Sequence, residues 1–471
     1  MPNRGLFRTS PLTRPIVNSP SPTWSRPSRD MPSWRHEPDS VAYLTLWLAL
    51  LYGITARQIV PGLGAQGSPA MLVALPTFGI WLACWLLPRS GFDRGRHPVR
   101  VLLLVHLSYL VISYAVAMSR TLTDLEATGA TRELMTGFAM VGIALFAADG
   151  VRSVARLEVL LQRAVWATLF LSSLGIVQFF TSQQWLFTMP GLTWNHPPPA
   201  LASRGPFVRP VGTTLHSIEF SVITAAMLPL ALHFALYSVT VHRRRNATAA
   251  ATLIAFAIPL SVSRTALVSL VAGLAVLLAV WRGRRLLNAL ATIAIAVPVL
   301  WATVPGIVGT FVSMFSDTDD DPSIQARVRR VPRVMSLIRE RPWLGLGNGT
   351  WSVEDWFLID NEIYVTTLEQ GMIGMGLTFV VIGLPILLAL TLRHVASVDE
   401  VRGHLALSLA ASILAIGASL FTFDSFHYRI ITGTLFLLIG CVGALWRLSA
   451  ASEHLEQRLL PSRRGSSDDG A

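Results

Sequence analysis

The sequence predicts an all-α integral membrane protein with about twelve transmembrane helices and a large outer-face loop between the ninth and tenth spans. Of its 471 residues, 52% are hydrophobic and only 14% are charged, whereas soluble globular proteins carry about 25% charged residues. The mean hydropathy is +0.52. Apolar runs of roughly twenty residues, which is the length that crosses a bilayer as a helix, recur along the chain.

Hydropathy places these runs between short polar loops. The seventh and eighth runs are separated only by Ser263 and Arg264. The predicted spans, in chain order, are residues 41–56, 69–88, 99–118, 133–150, 161–180, 217–239, 247–262, 265–281, 286–309, 371–392, 404–423 and 429–447.

The charge pattern predicts the orientation in the membrane. The net charge is +11, and every basic residue is an arginine. In a soluble protein this excess would suggest nucleic acid, but here the positive-inside rule explains it, so we expect membrane lipids and no nucleic acid as partners. Alternate loops carry Arg89, Arg94, Arg96 and Arg100; Arg152 and Arg156; Arg243, Arg244 and Arg245; Arg282, Arg284 and Arg285; Arg393 and Arg402. These loops and both termini are therefore predicted to be cytoplasmic, in a multi-pass membrane protein.

The chain divides into five predicted parts. The first is rich in Pro, Ser and Arg and lacks the apolar core of a cleavable signal, so we expect a disordered basic cytoplasmic tail. Cys84 and Cys441 fall inside predicted spans, which gives no sign of a disulfide framework. The parts are residues 1–39 (tail), 40–310 (spans 1–9), 311–370 (large extracytoplasmic loop), 371–448 (spans 10–12) and 449–471 (cytoplasmic tail).

The large loop begins with a predicted helix. Asp321 and Pro322 form a helix start, with Asp as the N-cap and Pro at the first helical position. Apolar residues then recur at helical spacing, with Arg327 and Arg330 beside the stripe. Pro332 is expected to bend or weaken the helix. The apolar stripe consists of Val328, Val331, Met335 and Ile338.

After Arg341-Pro342 ends that helix, the loop continues with Gly345, Gly347 and Gly349, which predict a turn. Asp360 is a candidate cap for a second helix that carries Glu369 and then enters the membrane at Gly371. The acidic run 317–321 lacks the ligand spacing of a calcium site, so we expect a solvated charge run and no metal. Tryptophans of the outer loops are explained by interfacial anchoring, with a sugar-stacking platform as an alternative.

Arg209 and Arg264 are the first candidate site residues, because arginines on the outer face run against the positive-inside bias. An arginine at such a depth usually has a partner, and a guanidinium suits the oxygens of a phosphate or pyrophosphate. The alternative is an ordinary turn residue that snorkels to the interface.

Three residues are candidates for a catalytic base: Asp360, Glu369 and His216. An acceptor hydroxyl needs a base, and a carboxylate near the membrane or an imidazole is suitable. The alternatives are structural. Asp360 caps a helix, Glu369 faces water, and His216 caps or packs at a helix end.

Four pieces of the sequence, in this order, resemble the O-antigen ligase and O-antigen polymerase superfamily of multi-pass glycan-transferring enzymes. They are RPVGTTLHSIEF (209–220), SVSRTALVSL (261–270), SIQARVRRVPRVMSLIRERPWLGLGNGTW (323–351) and DNEIYVTTLEQGMIG (360–374). Together they cover about the middle half of the chain.

The resemblance implies a metal-independent, inverting glycosyltransferase without a cofactor. Such an enzyme lies in the bacterial plasma (inner) membrane and moves a glycan from an undecaprenyl-pyrophosphate-linked donor to a glycan, lipid or protein acceptor in surface polysaccharide synthesis. By motif match, Arg209, Arg264 and Arg327 would bind the pyrophosphate. Lipopolysaccharide ligases of the family typically carry a His before the Asn of the large loop, where this chain has Asp360 before Asn361. This departure points to a different acceptor.

A transporter or flippase of a lipid-linked oligosaccharide is the alternative function. About twelve spans suit that class, which should show two related halves and polar or broken segments at mid-membrane depth. No internal repeat is evident, and the polar features gather in outer loops, which favours the enzyme. A membrane scaffold would leave the outer arginines unexplained.

Overall fold

The computed structural model of the protein describes residues 40–87, 91–95, 97–316, 322–352, 356–395 and 400–459. This part of the chain is nearly all helical, so the predicted all-α membrane class is confirmed. The predicted N-terminal tail and the acidic run 317–321 lie outside the described residues. Of the predicted C-terminal tail, residues 449–459 continue the last helix and the remainder is outside them.

Fifteen α-helices are formed by the described residues. The helices are α1 Ser40–Gly53, α2 Pro69–Ala74, α3 Thr77–Leu86, α4 Pro98–Met118, α5 Asp124–Gly150, α6 Val154–Thr181, α7 Ser217–Tyr237, α8 Val241–Leu260, α9 Arg264–Val280, α10 Gly283–Thr303, α11 Ile307–Ser316, α12 Pro322–Glu340, α13 Glu362–Val395, α14 Glu400–Ser419 and α15 Arg429–Leu459.

Two short β-ribbons organise the loops, and the sequence did not predict them. Strand β1 (Gln58–Ile59) pairs antiparallel with β2 (Thr193–Trp194). Strand β3 (Ser203–Arg204) pairs antiparallel with β4 (Phe207–Val208). The first ribbon joins the loop after α1 to the loop before α7, and Gln58 reinforces it by bonding to Phe187 O at 2.6 Å.

Nine helical segments of the described chain are long and apolar enough to cross a membrane, and α2 with α3 counts as one of them. Helices α1 and α9 are apolar but shorter, with 14 and 17 residues. Helix α8 is in neither group and carries Arg243, Arg244 and Arg245 in its first turns. A multi-pass membrane protein is therefore confirmed, while the number twelve and the exact placement of the large loop stay predictions.

Helices α5, α7, α14 and α15 form the buried centre of the bundle. Small residues allow α15 to lie against α5: a Cβ added at Gly440 would be 2.3 Å from Ala144 O, and one at Gly443 would be 3.0 Å from Ala148 Cβ. Close approach of this kind suits a bilayer, where apolar side chains gain little by leaving lipid and van der Waals packing stabilises the pair instead. In contrast, α10 has no buried residue.

Loop contacts define two ends of the bundle. At one end, Arg57 Nη2 donates to Leu215 O at 3.2 Å, and Ile430 N donates to Glu219 Oε1 at 3.0 Å. The backbone N–H of Glu362 donates to Leu420 O at 3.2 Å. The starts of α7, α13 and α15 and the ends of α1 and α14 therefore meet here, and we call this the site end.

The opposite end contains an ion-pair network around the buried Asp149. Its carboxylate accepts from Trp81 Nε1 at 2.8 Å, His97 Nε2 at 2.7 Å and Arg100 Nε at 2.9 Å. Asp93, His97 and Asp149 also place ligand atoms within 4.8 Å of one another. Because Arg100 already balances Asp149, this group is explained as the network that holds α3 and α4 against α5.

Helix α12 begins at Pro322 and ends at Glu340, as predicted, but the prediction of its buried face was wrong. The helix continues across Pro332 without a break. Pro332 lies on the exposed side of the helix. Water can therefore donate a hydrogen bond to the carbonyl oxygen that has no backbone N–H partner because proline lacks one. The buried position is Val334, and Met335 is 37% exposed. The face of α12 was chosen by packing against Ile359 and Leu368, which its own sequence does not reveal.

Candidate active site

A two-residue hairpin turn aligns two arginines at the site end. Gly205 has φ +55°, the left-handed backbone that the first position of such a turn requires. Arg204 pairs with Phe207 across the ribbon, and Arg209 N continues it by donating to Ala202 O at 2.8 Å. Side chains opposite one another, and two residues apart, lie on the same face of a ribbon. The hairpin therefore places Arg204 and Arg209 on one face.

Both arginines bond to carbonyls of the turn between α8 and α9. Arg209 Nε donates to Ser261 O at 3.0 Å, and Arg204 Nη1 donates to Val262 O at 3.4 Å. Val262 is fully buried and has φ +45°. A β-branched residue in the left-handed region is strained, and such strain is concentrated at functional sites.

Arg264 joins the same group from the start of α9. Its Nε donates to Met314 O at 2.8 Å, and Arg204 Nη1 lies 3.9 Å from Met314 Sδ. A cation at a helix N-terminus is opposed by the helix dipole, so its position is not explained by helix stability. Arg204, Arg209 and Arg264, which we call the arginine cluster, therefore concentrate three positive charges at the α8–α9 turn.

Arg209 has an uncompensated charge within the described part of the chain. There it makes one side-chain hydrogen bond, to Ser261, and forms no ion pair. Its pKa is lowered to about 10 by burial and by the charge of Arg204. The guanidinium is still protonated at neutral pH, so an anion bound here would gain a strong, partly desolvated partner.

His216 is the N-cap of α7. Its Nδ1 accepts from Ile218 N at 3.1 Å, so the neutral ring carries its proton on Nε2. The ring stacks 5.8 Å from Phe423 and lies 6.2 Å from Tyr428, measured between centroids. His216 therefore caps and packs at a helix end, as the alternative interpretation of the sequence predicted. In this arrangement its Nε2 can donate a hydrogen bond.

The charges around His216 show which groups the fold brings together. Its pKa is lowered to about 4 by burial and by Arg209 and Arg57, while Asp360 opposes the shift. Asp360 also raises the pKa of Tyr428, which burial raises most. Arg209, His216 and Asp360, which are widely separated in sequence, are therefore within electrostatic reach of one another.

The sequence suggested Asp360 as the cap of α13, but the structure has a different residue in that role. The cap is Asn361, whose Oδ1 accepts from Tyr364 N at 3.3 Å and whose Nδ2 donates to Phe421 O at 2.8 Å. An amide in this position serves the helix start and the α14–α15 loop together, which a carboxylate cannot do because it has no donor. Capping of α13 is therefore the role of Asn361 and not of Asp360.

Glu369 lies at a different place, under the glycine turn. It is buried, and its Oε1 accepts from Trp351 N at 2.8 Å. Gly345, Gly347 and Gly349 have φ values of +67°, +105° and +78°, so the predicted turn is confirmed and requires glycine. A Cβ at Gly345 would lie 2.4 Å from Glu369 O. Within the described residues, Glu369 contacts this turn and not the arginine cluster.

A pair of acidic residues fixes the α14–α15 loop beside His216. Glu362 Oε2 accepts from Phe426 N at 2.9 Å. Burial raises the pKa of Asp424, and its neighbours Glu362, Glu369 and Glu133 raise it further. A protonated Asp424 can share its proton with Glu362, and this holds Phe423 and Tyr428 in place against His216.

Arg57 and Arg204 belong to the site, and the sequence interpretation did not single them out. The argument used for Arg209 would have found both, because each lies in a loop predicted to be outside the membrane on the same face. For Arg327, only the backbone position in α12 is described. Its neighbour Arg330 donates from Nη1 to Leu358 O at 2.8 Å, which ties α12 to the segment that leads to Asp360.

The fold and this site define a class: a multi-pass membrane protein that gathers arginines, a histidine and a carboxylate at one end of its helix bundle. Residues 249–379, from α8 to α13, match the family model described as O-antigen ligase. The predicted resemblance to the O-antigen ligase superfamily is thereby confirmed. No curated protein matches the chain significantly.

The family match indicates a glycosyltransferase-like enzyme that takes a lipid-linked glycan in the synthesis of surface polysaccharide. The matched residues include Arg264, Arg327, Asp360 and Glu369. Arg209 and His216 precede the match, and their inclusion in the site depends on the tertiary contacts above.

Proposed function

We propose that the protein transfers or polymerises a glycan from an undecaprenyl-pyrophosphate-linked oligosaccharide onto an acceptor at the outer face of the plasma membrane. The observation that carries this proposal is the position of Arg209. Its charge acts on Arg204 of the arginine cluster and also on His216, which Asp360 influences as well. A pyrophosphate and an acceptor hydroxyl need these two environments next to each other.

The donor pyrophosphate binds to Arg204, Arg209 and Arg264, with Arg327 of α12 as a further ligand. Planar guanidinium groups match phosphate oxygens, and a partly desolvated site strengthens each contact. The carbonyls of Ser261 and Val262 orient two of these side chains before the donor arrives. Positive charge fixed in advance stabilises the negative charge that develops on the leaving group.

Transfer proceeds as a single displacement with inversion at the sugar, without a metal. Asp360 removes the proton from the acceptor hydroxyl while the hydroxyl oxygen forms a bond to the anomeric carbon. The bond from that carbon to the pyrophosphate oxygen breaks, and its electron pair leaves with undecaprenyl pyrophosphate. His216 donates from Nε2 to the reacting groups, because its pKa of about 4 keeps the ring neutral near pH 7.

The outer-face location is supported by the charge pattern. The loops of the opposite end carry the arginine runs that the positive-inside rule assigns to the cytoplasm. The same rule puts both termini in the cytoplasm and the site end outside, where lipid-linked oligosaccharides would be consumed. Protease protection in sealed vesicles of known orientation tests this assignment.

A purified-component assay tests the function. The protein is reconstituted in vesicles with undecaprenyl-pyrophosphate-linked oligosaccharide from the host and no other enzyme. We expect longer glycans or a new glycoconjugate, together with released undecaprenyl pyrophosphate. The length of the product separates a polymerase from a ligase. Movement of the donor between leaflets without transfer would contradict the proposal and favour a transporter.

A further inference from the structure

A stacked pair of tryptophans lies just before Asp360 in the chain. The rings of Trp351 and Trp356 have centroids 5.0 Å apart and an angle of 21° between their planes. Phe357 meets Trp351 edge-on at 5.1 Å. Trp351 and Phe357 also pack against the buried cluster that joins α12 to α13, but Trp356 is exposed. The proposed reaction uses none of the three rings.

The pair is held rigidly against the site end. Trp351 Nε1 donates to Phe357 O at 3.0 Å, which fixes the orientation of its ring. The backbone N–H of Trp351 is bound by Glu369 Oε1, which anchors the pair to α13. Trp356 stacks on this fixed ring and is 39% exposed. Trp351 and Trp356 therefore present a preorganised aromatic face, which lowers the entropy cost of binding.

The pair is close to the proposed base and to hydrogen-bond donors. Asp360 follows Trp356 by four residues, which span at most about 14 Å even when fully extended. Arg330 donates from Nη1 to Leu358 O between them, and the rest of its guanidinium group makes no hydrogen bond within the described chain. An apolar face beside free donors and a carboxylate is the composition of a ligand site.

Another exposed tryptophan, Trp343, has a different setting. It is 68% exposed, and its carbonyl accepts from Ile373 N at 3.4 Å. Ile373 and Met372 are exposed residues of α13, which is a candidate membrane span. Interfacial anchoring explains Trp343 well, whereas it does not explain why Trp351 and Trp356 are stacked and locked.

We propose that the stacked face of Trp351 and Trp356 binds a sugar ring of a saccharide acceptor and so delivers its hydroxyl to Asp360. A pyranose ring has a flat face of C–H groups that suits the electron-rich face of an indole, and hydroxyls at its edge that suit Arg330. The identification of the bound sugar as the acceptor rests on the proposed function, but sugar binding itself can be measured without turnover.

The test uses the full-length protein in detergent and an oligosaccharide as the probe. The oligosaccharide is released by mild acid from the lipid-linked oligosaccharides of the organism that makes this protein. This probe lacks the pyrophosphate, so it does not require the arginine cluster. Titration calorimetry or saturation-transfer NMR should show binding by the wild type. Trp356→Ala should raise the Kd at least about tenfold, while Trp356→Phe retains part of the affinity.

Trp343→Ala is the matched control and should bind the oligosaccharide like the wild type. In the transfer assay, Trp356→Ala should raise the KM for the acceptor and leave kcat nearly unchanged, because the ring contacts a part of the acceptor that does not react. Elution as a single species in size-exclusion chromatography shows that each variant is folded.

Three results would overturn the sugar site: no binding by the wild type, unchanged binding by Trp356→Ala, or equal weakening by Trp343→Ala. Each can occur in a protein that still transfers glycan, and the proposed function would then stand. Conversely, a wild type that binds the oligosaccharide through Trp356 but never transfers it would remove the proposed function and leave the sugar site.

Discussion

Arg209 donates a hydrogen bond from Nε to the carbonyl oxygen of Ser261 at 3.0 Å, across 52 positions of sequence. This bond joins the loop before α7 to the turn between α8 and α9. It also leaves the terminal nitrogens of Arg209 without a hydrogen-bond partner among the described residues. The contact brings the charge of Arg209 to the turn where Arg204 also bonds and where α9 begins with Arg264.

Replacing Arg209 with Ala should abolish most of the activity. Removing one fixed donor to a developing negative charge costs about 100-fold or more in rate. Arg209→Lys should recover only part of it, because an ammonium keeps the charge and loses the planar fork. Release of undecaprenyl pyrophosphate in vesicles measures the effect. Arg333→Ala, an exposed change on α12, is the control, and equal activity of both alanine variants would contradict the role.

Asp360→Asn should reduce kcat by about 100-fold or more and leave donor binding intact, because an amide cannot accept the hydroxyl proton. The neighbouring Asn361→Ala removes the cap of α13 and should cost about 1 kcal/mol of stability with little change in kcat. Donor binding, single-turnover rates and melting temperatures separate the two effects. Normal turnover by Asp360→Asn would show that Asp360 is not the catalytic base. Glu369 would then be the remaining carboxylate among the predicted candidates.

Gly347→Ala should destabilise the protein strongly. Gly347 has φ +105°, and an added Cβ would lie 2.3 Å from Ala117 Cβ in α4. Strain and overpacking together should cost about 3 kcal/mol. Gly191→Ala is the matched control: its φ is +79° with no atom within 4 Å of the added Cβ, so only about 1 kcal/mol of backbone strain is expected. Thermal unfolding in detergent compares them, and equal losses would contradict the tight packing.

His216 should make the protein less stable in mild acid. Its pKa is about 4 in the folded protein and 6.5 without the fold. Between these values the unfolded chain binds a proton that the folded chain does not, so stability is present above pH 6.5 and is lost as the pH falls toward 4. His216→Asn keeps a good N-cap and removes the titrating ring.

The melting temperature of the wild type should therefore fall more than that of His216→Asn when the pH is lowered from 7 to 5. The comparison cancels the titration of other groups, such as Asp424, that both proteins share. Parallel curves for the two proteins would mean that His216 does not titrate as its surroundings indicate.

Local sequence patterns predicted much of the large loop correctly. The start of α12 at Pro322, its end before Arg341 and the glycine turn after it were read from residues whose effect is local. The predictions that were wrong concern features that depend on contacts with other segments of the chain. The buried face of α12 was selected by Ile359 and Leu368, and the cap of α13 by a partner in the α14–α15 loop.

The sequence by itself determined that this chain is a multi-pass helical membrane protein, that it resembles O-antigen ligases and that outer-loop arginines are its notable feature. Hydropathy, charge bias and ordered motifs are properties of the chain read one residue at a time. Only the tertiary structure decided that Arg204 and Arg209 bond to the same turn, that Asp360 is within electrostatic reach of His216, and that Glu369 holds the glycine turn. Those relations are set by contacts between segments far apart in sequence, where packing and burial, rather than local propensity, select the partner.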